Sequence, residues 1–339
     1  MKGFLFIGDP HVSSKKPGRR IDDYRASVLQ KLKVAGEIAR DNDLVPVVLG
    51  DLFHRADEND LATLSRLIEV FNAYPSKAIV VGGNHDKKEV VVKEADALNV
   101  LAVAGTVLLI DGKCREVARY EMNGKTVALW ITPYGAAVPT AIESTADTVI
   151  LVTHADYAFA GAYPDAKPIV EIKGCDMVVN GHMHKTAPSV VVGGTVWHNP
   201  GNIEPLSVDC IDHVPAVWEW LGGESVRELK PHLLPHNRDC FDLTGLVVAA
   251  MGQDESVQAI LPAEMSHFAK LLSAKSKLEG AKAEDNSSFV EELIDAFSQL
   301  EVPDAVQTLL LALERANTVD QLVIEEPVIE EAFMQRGSA

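Results

Sequence analysis

Cysteine is scarce in this chain. Cys114, Cys175, Cys210 and Cys240 are the only four, far apart and with no CxxC pair. That spacing excludes a zinc knuckle and a disulfide framework and reads as reduced, structural thiols. Long apolar runs are missing too: none approaches the roughly 20 residues that cross a bilayer. The opening stretch Met1 to Asp9 is too short and too soon acidic for a signal peptide, so a cytoplasmic protein with no membrane association is expected. Basic residues are outnumbered, 31 against 49 acidic ones, for a formal charge of −18. This argues against indiscriminate adhesion to nucleic acid. The deficit is uneven, however. From Glu279 to Ala339, fourteen acidic residues face only Lys282, Arg315 and Arg336, a net −11 that leaves −7 for the first 278 residues. Carboxylates that hold a metal are neutralised by it, so bulk acidity says little against a phosphate-bearing substrate.

What is present fits an ordinary globular protein, with 47% hydrophobic and 24% charged residues. A chain of 339 residues exceeds one typical core, so two domains are expected. Short Val/Ile-rich runs recur and each ends in polar residues: Gly3 to His11, Leu44 to Asp51, Ala78 to Asp86, Thr148 to Asp156 and Cys175 to His184. Such runs suit strands buried on both faces. Between the first three lie Asp22 to Arg40 and Asn59 to Ala73, with apolar residues at helical spacing (Val28, Leu32, Ala35, Ile38; Leu61, Leu64, Leu67, Ile68, Phe71). The alternation predicts a sandwiched α/β sheet. After His184 come strands without helices, Pro188 to Asn199, Pro215 to Gly223 and Ser225 to Leu234, with Gly222-Gly223 as a hairpin turn. Beyond about Asp239 the pattern turns helical and acidic, which places a boundary near Pro235 to Phe241. The domains expected are therefore 1–235 and 236–339.

The polar strand ends carry the chemistry. They are Asp9 and His11; Asp51, with His54 three residues on; Asn84, His85 and Asp86; His154; and His182 with His184. Ligands of open α/β sheets gather at the carboxyl ends of strands, so five ends would bring Asp, His and Asn side chains to one site. A pair of divalent ions about 3.5–4 Å apart needs a carboxylate that bridges both and mixed oxygen and nitrogen donors, and can activate a water for attack on phosphorus. Imidazole and carboxylate without thiolate suit Mn, Fe, Zn or Ni better than Ca or Mg alone. Asp9 and His11, like His182 and His184, are two apart, so an extended backbone would point both members of each pair the same way. Glycines before Asp51, Asn84 and His182 suggest close backbone approach at the ions.

The ordered motifs DPH, GD, GNHD, H and GHMH, from Asp9 to His184, resemble the calcineurin-like metallophosphoesterase superfamily. The resemblance implies an α/β fold of that type, a β-sandwich flanked by helices with a C-terminal cap and helical region. It implies one metal held by Asp9, His11, Asp51 and His184, and a second by Asp51, Asn84, His154 and His182, with Asp51 bridging. His85 would protonate the leaving oxygen without touching metal, and Asp86 would orient its ring.

Within the superfamily, Gly50-Asp51-Leu52-Phe53-His54 resembles the GDLFH of SbcD-type double-strand-break-repair nucleases, where the extra histidine meets the DNA phosphodiester. His198 to Ser207 resembles the loop after the last metal-binding strand of those nucleases, though Asn202 and Leu206-Ser207 stand where Ser and Thr-Ser are usual. His236 to Leu243 resembles the start of their capping domain. These likenesses imply a manganese-dependent DNA nuclease of repair or recombination, with Zn, Fe or Mg as alternative metals. They also imply a coiled-coil ATPase partner of the SbcC type, bound through the acidic C-terminal helices, and a homodimer. Lys15, Lys16, Arg19 and Arg20 follow the first motif, Lys87 and Lys88 the third, and Lys185 the last. If the strand ends converge, these seven cations would ring the site and track a phosphate backbone. Two other functions stay open: a phosphomonoesterase or small-nucleotide phosphodiesterase, and a non-enzymatic metal-binding subunit that regulates an ATPase.

Overall fold

The computed structural model describes residues 1–160, 166–237 and 239–243. By internal contacts the chain divides into two units, Met1–Ala250 and Met251–Ala339. The expected acidic helices lie outside the described residues, as does most of the expected cap.

The first unit is a two-sheet sandwich. In chain order its elements are β1 (Gly3–Ile7), α1 (Tyr24–Asp41), β2 (Leu44–Val48), α2 (Leu61–Asn72), β3 (Ala78–Val81), α3 (Ala97–Val103) and β4 (Val107–Ile110). Then follow β5 (Arg115–Met122), β6 (Lys125–Thr132), β7 (Thr148–His154), β8 (Met177–Gly181), β9 (Ala187–Val192), β10 (Thr195–Asn199), β11 (Ala216–Leu221) and β12 (Lys230–Leu233). One sheet runs β12-β11-β1-β2-β3-β4 and the other β5-β6-β7-β8-β10-β9. The β1, β2 and β3 strands are mutually parallel, as are β7 and β8, with His154 opposite Gly181.

Alternation along each strand builds three cores. Phe4, Phe6, Val45, Val47, Ile79 and Val81 meet Val127, Leu129, Ile131, Ile150, Val152, Met177 and Val179 between the sheets. The intervening Leu5, Ile7, Val48 and Val80 face the helices, packing with Val28, Leu32 and Ala35 of α1 and Leu67 and Phe71 of α2. Ala128, Leu151, Val178 and Trp197 bury the far face of the second sheet beneath Ile142, Tyr157, Phe159 and Ile172. Each such side chain contributes about 1.5–3 kcal/mol, so a strand buried on both faces has no polar position to spare except at its end. Both helices start at an aspartate whose side chain accepts a backbone N–H: Asp23 from Ala26 and Asp60 from Thr63.

The expected turn at Gly222-Gly223 is present, with Glu224 N–H donating to the Leu221 carbonyl at 3.0 Å, and β11 pairs antiparallel with β12, though the whole connection spans 222–229. Two expectations are corrected. Leu61 is 79% exposed in the first turn of α2 rather than in the core. The backbone at the DPH and GHMH motifs is not extended: Asp9, His11 and His182 have φ of 24°, 48° and 74°.

Candidate metal centre

The carboxyl ends of β1, β2 and β3 from one sheet meet those of β7 and β8 from the other. Of the six non-glycine residues with positive φ among the described residues, four are Asp9, His11, Asp51 and His182, all at these strand ends. Left-handed backbone costs a residue with a Cβ, and such strain collects where function over-determines a conformation. It also replaces the same-side rule inferred for an extended chain. His184 Nε2 turns to His11 Nε2 at 3.0 Å, whereas His182 Nδ1 turns to Asn84 Oδ1 at 3.0 Å. The two histidines therefore serve different halves of the site.

Three groups of donors result among the described residues: His11 with Asp51 and His184, Asp51 with His154 and His182, and His11 with His54 and His85, with Asp51 shared by the first two. Asp51 Oδ2 is 3.7 Å from His11 Nε2 and 3.3 Å from His154 Nε2. Asn84 Oδ1 is 3.1 Å from His154 Nε2, and Asp9 Oδ1 is 3.7 Å from His154 Nδ1. The glycines make room for backbone and for ligand side chains: a Cβ on Gly181 would collide with the Leu49 carbonyl as well as with Asp9 and His154. A Cβ on Gly50 would collide with the His154 ring, and one on Gly83 with Asp51.

Proton bookkeeping tests whether cations fit. His154 Nδ1–H donates to the Leu49 carbonyl at 2.9 Å, and His182 Nε2–H donates to Asp156 Oδ1 at 2.8 Å. Burial lowers His182, so its inward nitrogen carries a lone pair that faces Asn84 Oδ1, an acceptor as well. Asp9 Oδ1 and Asp51 Oδ2 are buried with no hydrogen-bond partner. Acceptors turned on one another in a buried site are costly unless a cation sits among them. The titration behaviour makes the same demand. Burial lifts Asp9 to about 7, pushes His11 well below its ordinary value and lowers His184 to about 4. Burial opposes charge on His154 as well, yet Asp51 and Asp9 draw it up to about 9. Burial would also raise Asp51, but His154 and His11 outweigh it and hold this carboxyl well below the usual range. The donor set and its unmet demand for positive charge fit two divalent cations.

His85 sits beside this cluster without facing Asp86. Its backbone N–H donates to Asp51 Oδ1 at 2.8 Å, its Nδ1–H donates to the His54 carbonyl at 2.8 Å, and its ring stacks on that of His54 at 5.6 Å. The orienting role expected of Asp86 is thus corrected. Asp86 is fully buried and accepts the backbone N–H groups of Leu52 (3.3 Å), Phe53 (2.9 Å) and Gly83 (3.0 Å), pinning the loop behind Asp51. His54 is at the site as expected, with Nδ1 buried and unpartnered.

The seven cations do not form a ring. Arg20 is buried, donates to Glu204 and the Pro205 carbonyl at 2.6 Å each, and grips Asp22 with its other nitrogens. Lys87 is buried too, on Asp111 at 2.8 Å and the Tyr134 carbonyl at 3.0 Å. Neither can reach a phosphate strand, because each neutralises a carboxylate far away in sequence. Lys88 pairs with Asp57 at 3.3 Å, Arg19 donates to the Asp242 carbonyl at 2.9 Å and Lys16 to the Ile21 carbonyl at 3.0 Å. Lys15 and Lys185 are exposed. Residues not anticipated include Asp156, Tyr24, whose Oη donates to the His11 carbonyl at 2.8 Å, and Tyr134, whose ring lies 5.6 Å from that of His182. Only the short spacing of THAD at the end of β7 hints at Asp156.

Among the described residues no helix is long and apolar enough to cross a membrane. Two solved structures from Thermus thermophilus resemble the chain. One is a hypothetical protein, 14% identical, covering 68% of this chain and 99% of that one at a TM-score of 0.41. The other is a 5'-nucleotidase precursor, 12% identical, covering 69% of this chain and 54% of that one at a TM-score of 0.39. No curated protein matches the chain. The family model for the calcineurin-like phosphoesterases matches residues 3–186, from β1 through the last histidine motif, and so takes in all five strand ends. The chain belongs to the calcineurin-like phosphoesterase family, whose members are metal-dependent hydrolases.

Proposed function

We propose that this chain hydrolyses phosphodiester bonds of DNA in repair or recombination, as an SbcD-type nuclease with manganese as its metal. One ion would be held by Asp9, His11, Asp51 and His184, and the other by Asp51, Asn84, His154 and His182. The observation that carries this reading is the unpartnered Asp51 Oδ2, buried and shared by two donor groups. When bound, the ions supply Lewis acidity toward a phosphoryl oxygen and a nucleophile at neutral pH.

The chain's own groups do the rest. His85, with Nδ1–H fixed on the His54 carbonyl, presents Nε2 as the proton donor to the departing oxygen. Its backbone bond to Asp51 sets that donor beside the metal ligands. His54 supports a diester in particular, because it adds a second imidazole on the same side that can steady the scissile phosphate. Asp86 keeps the His54 loop in place through its backbone bonds. The coiled-coil ATPase partner and the homodimer belong to the same proposal, the ATPase engaging the acidic segment beyond residue 243.

A second reading is favoured by one observation: Arg20 and Lys87 are spent on internal carboxylates, which thins the cationic path a polymer would follow. A small nucleotide or a phosphomonoester needs no such path. Assay with Mn on linear, circular and hairpin DNA, beside a chromogenic monoester, separates the two. Cleavage of DNA that disappears in His85→Ala supports the nuclease; turnover of the monoester alone overturns it in favour of the second reading.

A further inference from the structure

We infer that Asp156 is the positioning residue for the second metal: it fixes the tautomer and ring angle of His182 so that Nδ1 faces the site as a lone pair. The inference rests on the metal assignment proposed above and adds a group outside its ligand set.

Asp156 Oδ1 accepts Nε2–H of His182 at 2.8 Å, while His182 Nδ1 lies 3.0 Å from Asn84 Oδ1. An imidazole has one proton to place when neutral, and a carboxylate at Nε2 settles which nitrogen keeps it. A carboxylate behind a ligating histidine raises ligand basicity and fixes the ring, and its loss typically costs about 10–100-fold in metal affinity. The other histidines show how specific the device is. His154 and His85 rest their outer nitrogens on backbone carbonyls of Leu49 and His54, and His11 Nδ1 has no hydrogen-bond partner. Among the ligand histidines, the charged anchor falls to His182 alone within the described residues.

The backbone around both residues is built to hold this contact. Asn180 accepts the Ala155 N–H (3.3 Å) and donates to the Ala155 carbonyl (3.1 Å), clamping the ends of β7 and β8 in register. Just beyond Asp156, Tyr157 is buried against Trp197 with ring centroids 4.6 Å apart, and the Asp156 carbonyl accepts Lys167 N–H at 3.0 Å. On the far side, Asp9 Oδ2 accepts the His182 backbone N–H at 2.7 Å, at a residue already in left-handed backbone with φ of 74°. His182 is therefore held between two carboxylates, one on its backbone and one on its ring.

The test compares the full-length wild type, Asp156→Ala, Asp156→Asn and His182→Ala by calorimetric titration with MnCl2 after chelation. Wild type should show two sites. Asp156→Ala should weaken one of them by about 10–100-fold and leave the other unchanged. Asp156→Asn should fall closer to wild type, because its amide oxygen still accepts Nε2–H. The side chain is 40% exposed, so its replacement leaves the core intact. A second measurement needs no metal: long-range 15N–1H correlation on the apoprotein should show His182 as the Nε2–H tautomer, mixed in Asp156→Ala. Asp156→Ala with both affinities at the wild-type level, or with an unchanged His182 tautomer, overturns the inference. A wild type that binds no Mn overturns the metal assignment itself, which is a different and separately visible failure.

Discussion

Removing the Glu204 side chain should unfold the first unit at a much lower temperature. Glu204 is fully buried and accepts from Arg20 at 2.6 Å, Lys31 at 2.6 Å and Ser27 at 2.9 Å. Lys31 is buried as well and its other contact is Ser27 at 3.1 Å, while Arg20 keeps Asp22. Glu204→Ala therefore leaves one ammonium without a counter-ion and one guanidinium half-paired. Breaking a buried pair from one side costs about 3–5 kcal/mol. For a unit of this size each kcal/mol moves the melting point about 2–4 °C, so a fall of about 6–20 °C is expected. Glu204→Gln, which keeps the shape and one acceptor, should fall less. Trp130, Trp197, Trp218 and Trp220 are the only tryptophans and all lie in the first unit, so their fluorescence reports on it alone. Melting should be followed with a chelator present, since bound metal adds its own stabilisation. A Glu204→Ala melting point within about 2 °C of wild type, less than the shift of a single kcal/mol, would refute the reasoning.

Other outcomes follow from the same geometry. His85→Ala should keep both metals and lose about 10²–10⁴-fold in hydrolysis, read by metal analysis beside turnover; loss of metal would make His85 a ligand instead. Asp86→Ala leaves three buried backbone N–H groups without acceptors, at about 1–3 kcal/mol each, and should weaken both metal binding and urea resistance; a purely catalytic effect would restore the orienting role. Burial pushes the Cys175 thiol up to about 12. Its thiolate is therefore scarce below that pH, and mass spectrometry after alkylation at about pH 8 should find it modified only in denaturant. Rapid labelling of the folded protein would contradict its burial.

The strand ends are the legible part of this chain. A strand buried on both faces has to carry its polar residues at the tip, so Asp9, Asp51, Asn84, His154 and His182 stand out from the apolar runs that precede them. The helices are legible for a similar reason, being amphipathic and aspartate-capped. The β5 and β6 hairpin is not, because β5 is half-exposed along its length and lacks the run of Val and Ile that marks the others. The α3 helix, with seven residues and no side-chain cap, leaves as faint a trace. The errors over side-chain roles share one cause. Arg20, Lys87 and Asp86 take their apparent roles from sequence neighbours, but their partners are Glu204, Asp111 and Phe53, between 24 and 184 positions away. A lysine next to a metal motif and a lysine closing a buried ion pair read the same until the fold brings the carboxylate in.

The most direct test of the shared-carboxylate centre is metal stoichiometry by native mass spectrometry in Mn, for wild type, His85→Ala and Asp51→Ala. Two ions per chain in the first two and none in Asp51→Ala is the expected result. Two ions in Asp51→Ala, or fewer than two in wild type, would contradict a dimetal site built on Asp51.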